Sequence, residues 1–213
     1  MKSLAWRMRL RVRILQQRNG ADMGKLIVEQ ILSVDGYAAD ADGGIGFFFS
    51  ARQLNDADAD ADQLGMLASV GAIVFGATTY RMFAEYWPTA EAHAEPVAAP
   101  INALPKFVIS STLQSAPWGD GHAVEILRGD GVESVRKLRA RIHGDLIVWG
   151  SLTLADALLL ADEVDVLRLR LVPVLIGAGR SFTPGDLGER KLKLASAQSY
   201  AEGLVVLEYR RAA

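Results

Sequence analysis

The chain of 213 residues contains no cysteine. That absence excludes disulfides, thiolate metal sites and cysteine nucleophiles together. It fits a reducing compartment, so a cytoplasmic location is expected. Histidine is nearly as scarce. His93, His122 and His143 show no metal-ligand spacing, and no metal site is expected. There is no apolar run of about 18 residues, so no membrane span is expected. No G-x-S-x-G, P-loop or S-x-x-K motif occurs, which sets hydrolase and nucleotide-triphosphatase chemistry aside. Nor does one sign of charge dominate: 23 Lys and Arg stand against 25 Asp and Glu.

Half of the residues are hydrophobic, and 20 Gly and 7 Pro are too few for a collagen-like or disordered chain. A chain of this length buries roughly 70% of its unfolded surface, enough for one core. The charge that exists is unevenly placed. Residues 1–22 carry Lys2, Arg7, Arg9, Arg11, Arg13 and Arg18 against Asp22 alone, which leaves the body acidic. An acidic body argues against nucleic acid as the main partner. In the basic arm, apolar residues and Arg alternate from Trp6 to Leu15, the period of a strand. The preferred reading is a dispensable extension ahead of a start at Met23, followed by a single domain over 23–213. An added edge strand and an anion-binding arm are the alternatives.

Beyond Gly24, strands and helices alternate. Strands are expected at 25–32, 72–75, 106–110, 124–127, 145–149 and 164–172. Helices are expected at 54–69, 78–86, around Val132–Ile142, and from a Ser151 cap to Leu160. Loops should fill 33–49 and 87–105. This alternation predicts an α/β fold with a mostly parallel sheet and helices on both faces. The last three strands, ending with 192–198 and 204–210, have no helix between them and should be antiparallel additions.

Three turns of small residues each follow a strand: Gly76-Ala77-Thr78-Thr79, Ser110-Ser111-Thr112 and Gly150-Ser151-Leu152-Thr153. In an open parallel sheet, ligands sit outside the carboxyl ends of the strands. Small residues there let backbone N–H groups and hydroxyls approach a phosphate at a helix N-terminus. Gly177-Ala178-Gly179 lacks the third glycine of a dinucleotide fingerprint and is set aside. The run Asp56, Asp58, Asp60, Asp62 opens like a calcium loop but lacks its later Gly and Glu in either register. It reads as an acidic first helical turn, one of whose carboxylates could face a cleft.

Five segments, in order, resemble one family. They are Ser33-Val34-Asp35-Gly36-Tyr37-Ala38-Ala39-Asp40; Phe75–Tyr80 with Trp87-Pro88-Thr89; Lys106–Ser110; Trp149–Leu154; and Asp162–Asp165 with Val172–Arg180. Together they are similar to the dihydrofolate reductase superfamily. More narrowly, they resemble the reductase domain of the bifunctional riboflavin-biosynthesis deaminase/reductase and its stand-alone relatives. The resemblance implies a dihydrofolate reductase-like three-layer fold and a cofactor, NADPH with NADH not excluded. By analogy Gly76, Thr78 and Thr79 would meet the pyrophosphate, and Ser110 and Ser111 the adenosine end. Gly150, Ser151, Leu152 and Thr153 would hold the phosphate and nicotinamide side. Asp35 would border the nicotinamide and substrate. Asp60, 16 residues before Gly76, has the offset of the pteridine-binding acid in dihydrofolate reductases.

Two departures stand out. Ala77 and Ser111 occupy places where the family often carries arginines that grip the 2′-phosphate; Arg81, Arg128 or Arg180 are the candidates to replace them. The zinc deaminase half of the bifunctional enzyme has no counterpart here, with neither H-x-E nor cysteine. The leading expectation is an NADPH-dependent reductase acting on a pyrimidine- or pteridine-like heterocycle, as a homodimer joined at the edge of strand 164–172. The alternative is a dimer of the same fold that binds a nucleotide or heterocycle without turnover.

Overall fold

The computed structural model describes residues 24–51, 56–120 and 122–212. The basic arm and the reading of it as a strand lie outside these residues. Six strands form the parallel body of the sheet: β1 (Leu26–Ser33), β3 (Val70–Gly76), β4 (Lys106–Ile109), β7 (Glu125–Leu127), β8 (Asp145–Trp149) and β9 (Val166–Val172). Two more, β11 (Leu192–Ser199) and β12 (Val205–Arg211), complete it in the order β11-β12-β9-β1-β8-β3-β4-β7. The short β2 (Tyr37–Ala39) pairs with β10 (Arg180–Ser181), and β5 (Pro117–Trp118) with β6 (His122–Ala123).

Side chains alternate between the two faces of a strand, and the central strands are apolar on both. Leu26, Val28, Val74, Leu146 and Val148 point to one face. There they meet α5 (Gly131–Arg141) through Val135 and Leu138, and α6 (Leu152–Leu160) through Leu154, Ala155 and Leu158. Ile27, Ile73, Phe75 and Ile147 point to the other. There they meet α2 (Ala57–Leu67) through Leu67, α3 (Ala77–Tyr86) through Tyr80, and α4 (Ala98–Ala103) through Ile101. The result is three layers.

The helices begin where the chemistry allows. The Asp56 carboxylate accepts from the N–H groups of Asp58 and Ala59 and starts α2. Asp130 accepts from Glu133 N–H and starts α5, which ends on Arg139 and Arg141, favourable beside the negative end of its dipole.

Several expectations are corrected. β9 is not an antiparallel addition; it runs parallel to β1, because α6 supplies the crossover that returns the chain. Only β12 and β11 reverse direction, each against its neighbour. β9 therefore lies inside the sheet between β1 and β12, and cannot offer an edge to a second copy. The stretch 33–49 is not all loop: it holds β2 and the start of α1 (Gly46–Ala51). Within 87–105 sit a 3-10 turn (Ala92–Ala94) and α4. These pieces are too short to carry a readable period.

Candidate functional site

The three small-residue turns lie abreast. β8, β3 and β4 are neighbours in the sheet and run parallel, so their C-terminal ends share one rim. Two of the turns are joined directly. Gly76 N–H donates to Ser151 Oγ at 2.8 Å, and Ser151 N–H donates to Thr79 Oγ1 at 2.8 Å. The neighbouring strand β1 holds the same turn from its other side. Gly150 N–H donates to the Glu29 carbonyl at 3.1 Å, and Gln30 Nε2 donates to the Gly150 carbonyl at 2.6 Å.

Gly150 (φ 52°) and Ser151 (φ 49°) are both left-handed, which lets the chain fold sharply from β8 into α6. A Cβ on Gly150 would also stand 3.2 Å from Thr79 Oγ1. Ser151 occupies the N-cap position of α6, yet its side chain does not cap that helix, because its hydroxyl is turned to Gly76 N–H. α3, led by Gly76, has no side-chain cap either. Two helices thus present first-turn N–H groups at one rim, beyond the reach of helical acceptors. The exposed Thr78 and Thr153 hydroxyls lie in those turns.

The third turn is built differently. Ser110 is buried, and its hydroxyl accepts from Thr112 N–H and Leu113 N–H, closing the turn. Ser111 is exposed. Arg128, just after β7, donates to the carbonyls of Ser110 (2.7 Å) and Leu113, so a guanidinium is fixed over this turn. Of the other candidate cations, Arg180 pairs with Asp156 and Arg81 is exposed on α3.

On the α2 face lies a cavity of about 350 Å³, with Ala59, Asp60 and Gln63 of α2 and Trp149 of β8 in its wall. Two of its lining residues, Glu29 and Trp149, belong to a row set by strand register. Trp149 on β8, Glu29 on β1, Arg168 on β9 and Glu208 on β12 are paired in successive ladders and form one row across four strands. Glu29 is 3% exposed and Arg168 4%. Glu29 Oε1 accepts from Trp149 Nε1 (2.7 Å) and Gln63 Nε2 (3.2 Å), and Oε2 from Arg168 Nε (2.7 Å). Arg168 also pairs with Asp62, and Arg170 donates to Gln63 Oε1 at 2.7 Å. Burial opposes the charge on Arg168, but Glu29 and Asp62 outweigh it and raise the guanidinium above its ordinary pKa. Burial also pushes the Tyr200 phenol up, and Asp62, which hydrogen-bonds to it, adds to the rise.

Within the acidic run, Asp56 caps α2 and also lines the cavity, Asp58 is exposed, Asp60 lines the cavity, and Asp62 pairs with Arg168. Asp35 is not among the residues that line the cavity. Its carboxylate accepts from the N–H groups of Ile176 (3.2 Å) and Gly177 (2.8 Å), pinning the turn after β1 to the segment after β9. The Ser33 hydroxyl, then these backbone donors, lower its pKa against the opposing effect of burial.

Sequence reasoning missed Glu29, Gln30, Trp149 and Arg168. The signal was present: Glu29-Gln30 interrupts an otherwise apolar central strand, where an unpaired charge is costly.

Residues 24–206 match the RibD C-terminal domain. The chain belongs to the RibD C-terminal domain family. It is 20% identical over 193 residues to YyaP of Bacillus subtilis (strain 168), a protein of uncharacterised function, covering 90% of this chain and 97% of that one. Among solved structures, a Shewanella sp. PV-4 protein named for riboflavin biosynthesis superposes with a TM-score of 0.71 at 22% identity, over 89% of this chain and 99% of that one. The deaminase/5-amino-6-(5-phosphoribosylamino)uracil reductase of Thermotoga maritima superposes at 0.62 and 15% identity, over 89% of this chain and 57% of that longer one. The fold is dihydrofolate reductase-like. Among the described residues, no helix is long and apolar enough to cross a membrane.

Proposed function

We propose that this RibD C-terminal domain protein is a nicotinamide-nucleotide-dependent reductase of a pyrimidine- or pteridine-like ring. One observation carries the reading. The turns after β8, β3 and β4 stand abreast, two of them hydrogen-bonded together, and Trp149, the residue before the β8 turn, walls a cavity that also holds Asp60 and Glu29.

The rim fits a diphosphate. Uncapped first turns of α3 and α6 offer N–H groups, and Thr78, Thr79 and Thr153 offer hydroxyls. Gly76, Gly150 and Ser151 shape the turns, while Leu152 opens α6. Ser110 and Ser111 form the turn for the adenosine end, and Arg128 is the cation best placed to serve there. Its fixed guanidinium takes over from the family's missing arginines at Ala77 and Ser111. The nicotinamide cofactor, when bound, supplies hydride to an electrophilic C=N or C=O carbon.

The chain's own groups do the rest. Phe83 and Trp149, with ring centroids 5.4 Å apart, form an aromatic wall for a flat ring. Ile45 and Phe48 add apolar surface to the cavity wall. Glu29, held by three donors, fixes the floor, and Asp60 orients a ring N–H and relays the proton that balances the hydride. Asp35 acts as a positioning residue for the turn above the sheet.

The test is a titration. NADPH or NADH should bind at sub-millimolar concentration, and cofactor oxidation should depend on a second, heterocyclic ligand. Failure of both nucleotides to bind would end this reading. Binding without turnover of any pterin or aminopyrimidine would favour the non-catalytic alternative. The loss of arginine at Ala77 and Ser111, and the internal use of the Gly76 and Ser151 N–H groups, motivate that alternative.

A further inference from the structure

One part of the cavity wall comes from the β11–β12 hairpin. The turn Ala201–Gly203 joins the two strands, and Ala201, Glu202 and the following Leu204 line the cavity. This turn is tied down. Tyr200 N–H donates to the Leu204 carbonyl at 2.8 Å. The Tyr200 phenol is hydrogen-bonded to Asp62 on α2, which also pairs with the buried Arg168. Gly203 packs closely as well: a Cβ there would stand 3.2 Å from Pro173, another lining residue.

Glu202 is an unusual residue for such a turn. Tight hairpin turns need positive φ at their central residues, which Gly, Asn and Asp adopt at little cost. Gly203 (φ 86°) meets that need, whereas Glu202 (φ 57°) meets it only with strain. Among the described residues, two others besides glycine share a positive φ. Ser151 is held there by its hydrogen bonds to Gly76 and Thr79, and Asp162 is of a type that tolerates it. No hydrogen bond or ion pair to a described residue engages the Glu202 carboxylate, so the fold does not use it. Being exposed as well as lining the cavity, it belongs to the part that opens to solvent. Backbone strain retained at a ligand cavity points to a role in binding.

Resting on the reductase reading above, we infer that Glu202 is a specificity-determining residue of this cavity. Its carboxylate accepts a hydrogen bond from a hydroxyl on the substituent that a bound ring directs toward solvent. A neutral carbon chain suits the apolar Pro173, Ala201 and Leu204 beside it, and a hydroxyl supplies the donor that a carboxylate accepts.

The experiment is calorimetry on the full chain with 6-hydroxymethylpterin and 6-methylpterin, which lacks only the hydroxyl. Wild type should bind the hydroxymethyl compound at least threefold more tightly. Glu202→Gly and Glu202→Asn should bind the two compounds equally, and neither should melt below wild type, because both residues accept positive φ. The inference is overturned if wild type shows no hydroxyl preference, if both variants keep it, or if neither pterin binds. Lower melting temperatures in both variants would make Glu202 a structural residue and overturn it too. The nicotinamide reading is judged separately by the NADPH titration. If NADPH binds and the hydroxyl preference is absent, only the role of Glu202 falls. If the preference holds and NADPH does not bind, that role stands and the reductase reading falls.

Discussion

Glu29 shows how much one side chain can decide. It sits in the middle of the central strand, almost fully buried, and is tolerable only because Trp149, Gln63 and Arg168 all donate to it. Removing one partner of a buried ion pair typically costs about 3–5 kcal/mol, because the other charge is left uncompensated. Glu29→Ala should therefore lose about 3 kcal/mol in denaturant unfolding, near the low end since Asp62 still faces Arg168. Glu29→Gln keeps the shape and should lose less. Equal stability of Glu29→Ala and wild type would show that this carboxylate does not anchor the floor. Asp35 makes a different prediction. Its folded pKa lies below the ordinary 3.8, so its contribution is complete above that value and disappears as pH falls through the lower, folded one. Wild type should exceed Asp35→Asn in melting temperature at pH 6, and the difference should shrink at pH 3. A gap that widens in acid would contradict this sign.

At the scale of elements, the β8–α6 turn carries the most information. Its two left-handed residues are locked by hydrogen bonds to β1, Gly76 and Thr79. In Ser151→Ala, Gly76 N–H loses its acceptor, which costs about 1–3 kcal/mol when the donor stays buried. Ser151→Gly loses the same bond but relieves left-handed strain of about 1–2 kcal/mol. That relief is offset by about 0.4–1 kcal/mol of extra freedom in the unfolded chain. The glycine variant should thus be the more stable of the two in thermal melts, and the reverse order would show that the strain is not real. Elements with a clear period are legible in the sequence: β1, β3, β4, β8, β9 and α5 lie within a few residues of expectation. α1, α4, β5, β6 and β10 are not, because two to six residues do not hold a period and their existence depends on what they pack against.

For the molecule as a whole, strand order decides which surfaces are available. β9 is enclosed, so the homodimer expected from the family resemblance must use another face. The edge strand β11 leaves Leu192 and Leu194 about half exposed. We place the contact there, and a light-scattering mass near twice the 23.0 kDa chain is expected, falling toward one chain in Leu194→Lys. A wild-type mass of a single chain would remove the dimer. The candidate site obeys the same logic of strand order. That the three turns would share a rim could be read from the alternation of strands and helices, since parallel strands end on the same side.

Local pattern alone is enough to read the α/β class, the family, the turns after β3, β4 and β8, and the acidic start of α2. Each of these is written in local period or local chemistry, within reach of neighbouring residues. Long-range packing settles that Asp56 and Asp60 line the cavity while Asp62 pairs with Arg168, that Asp35 ties two loops together, and that Trp149, Glu29, Arg168 and Glu208 form one row. Those partners come from strands that lie far apart in the chain, and register between strands is settled by packing of the whole sheet, which no local pattern encodes.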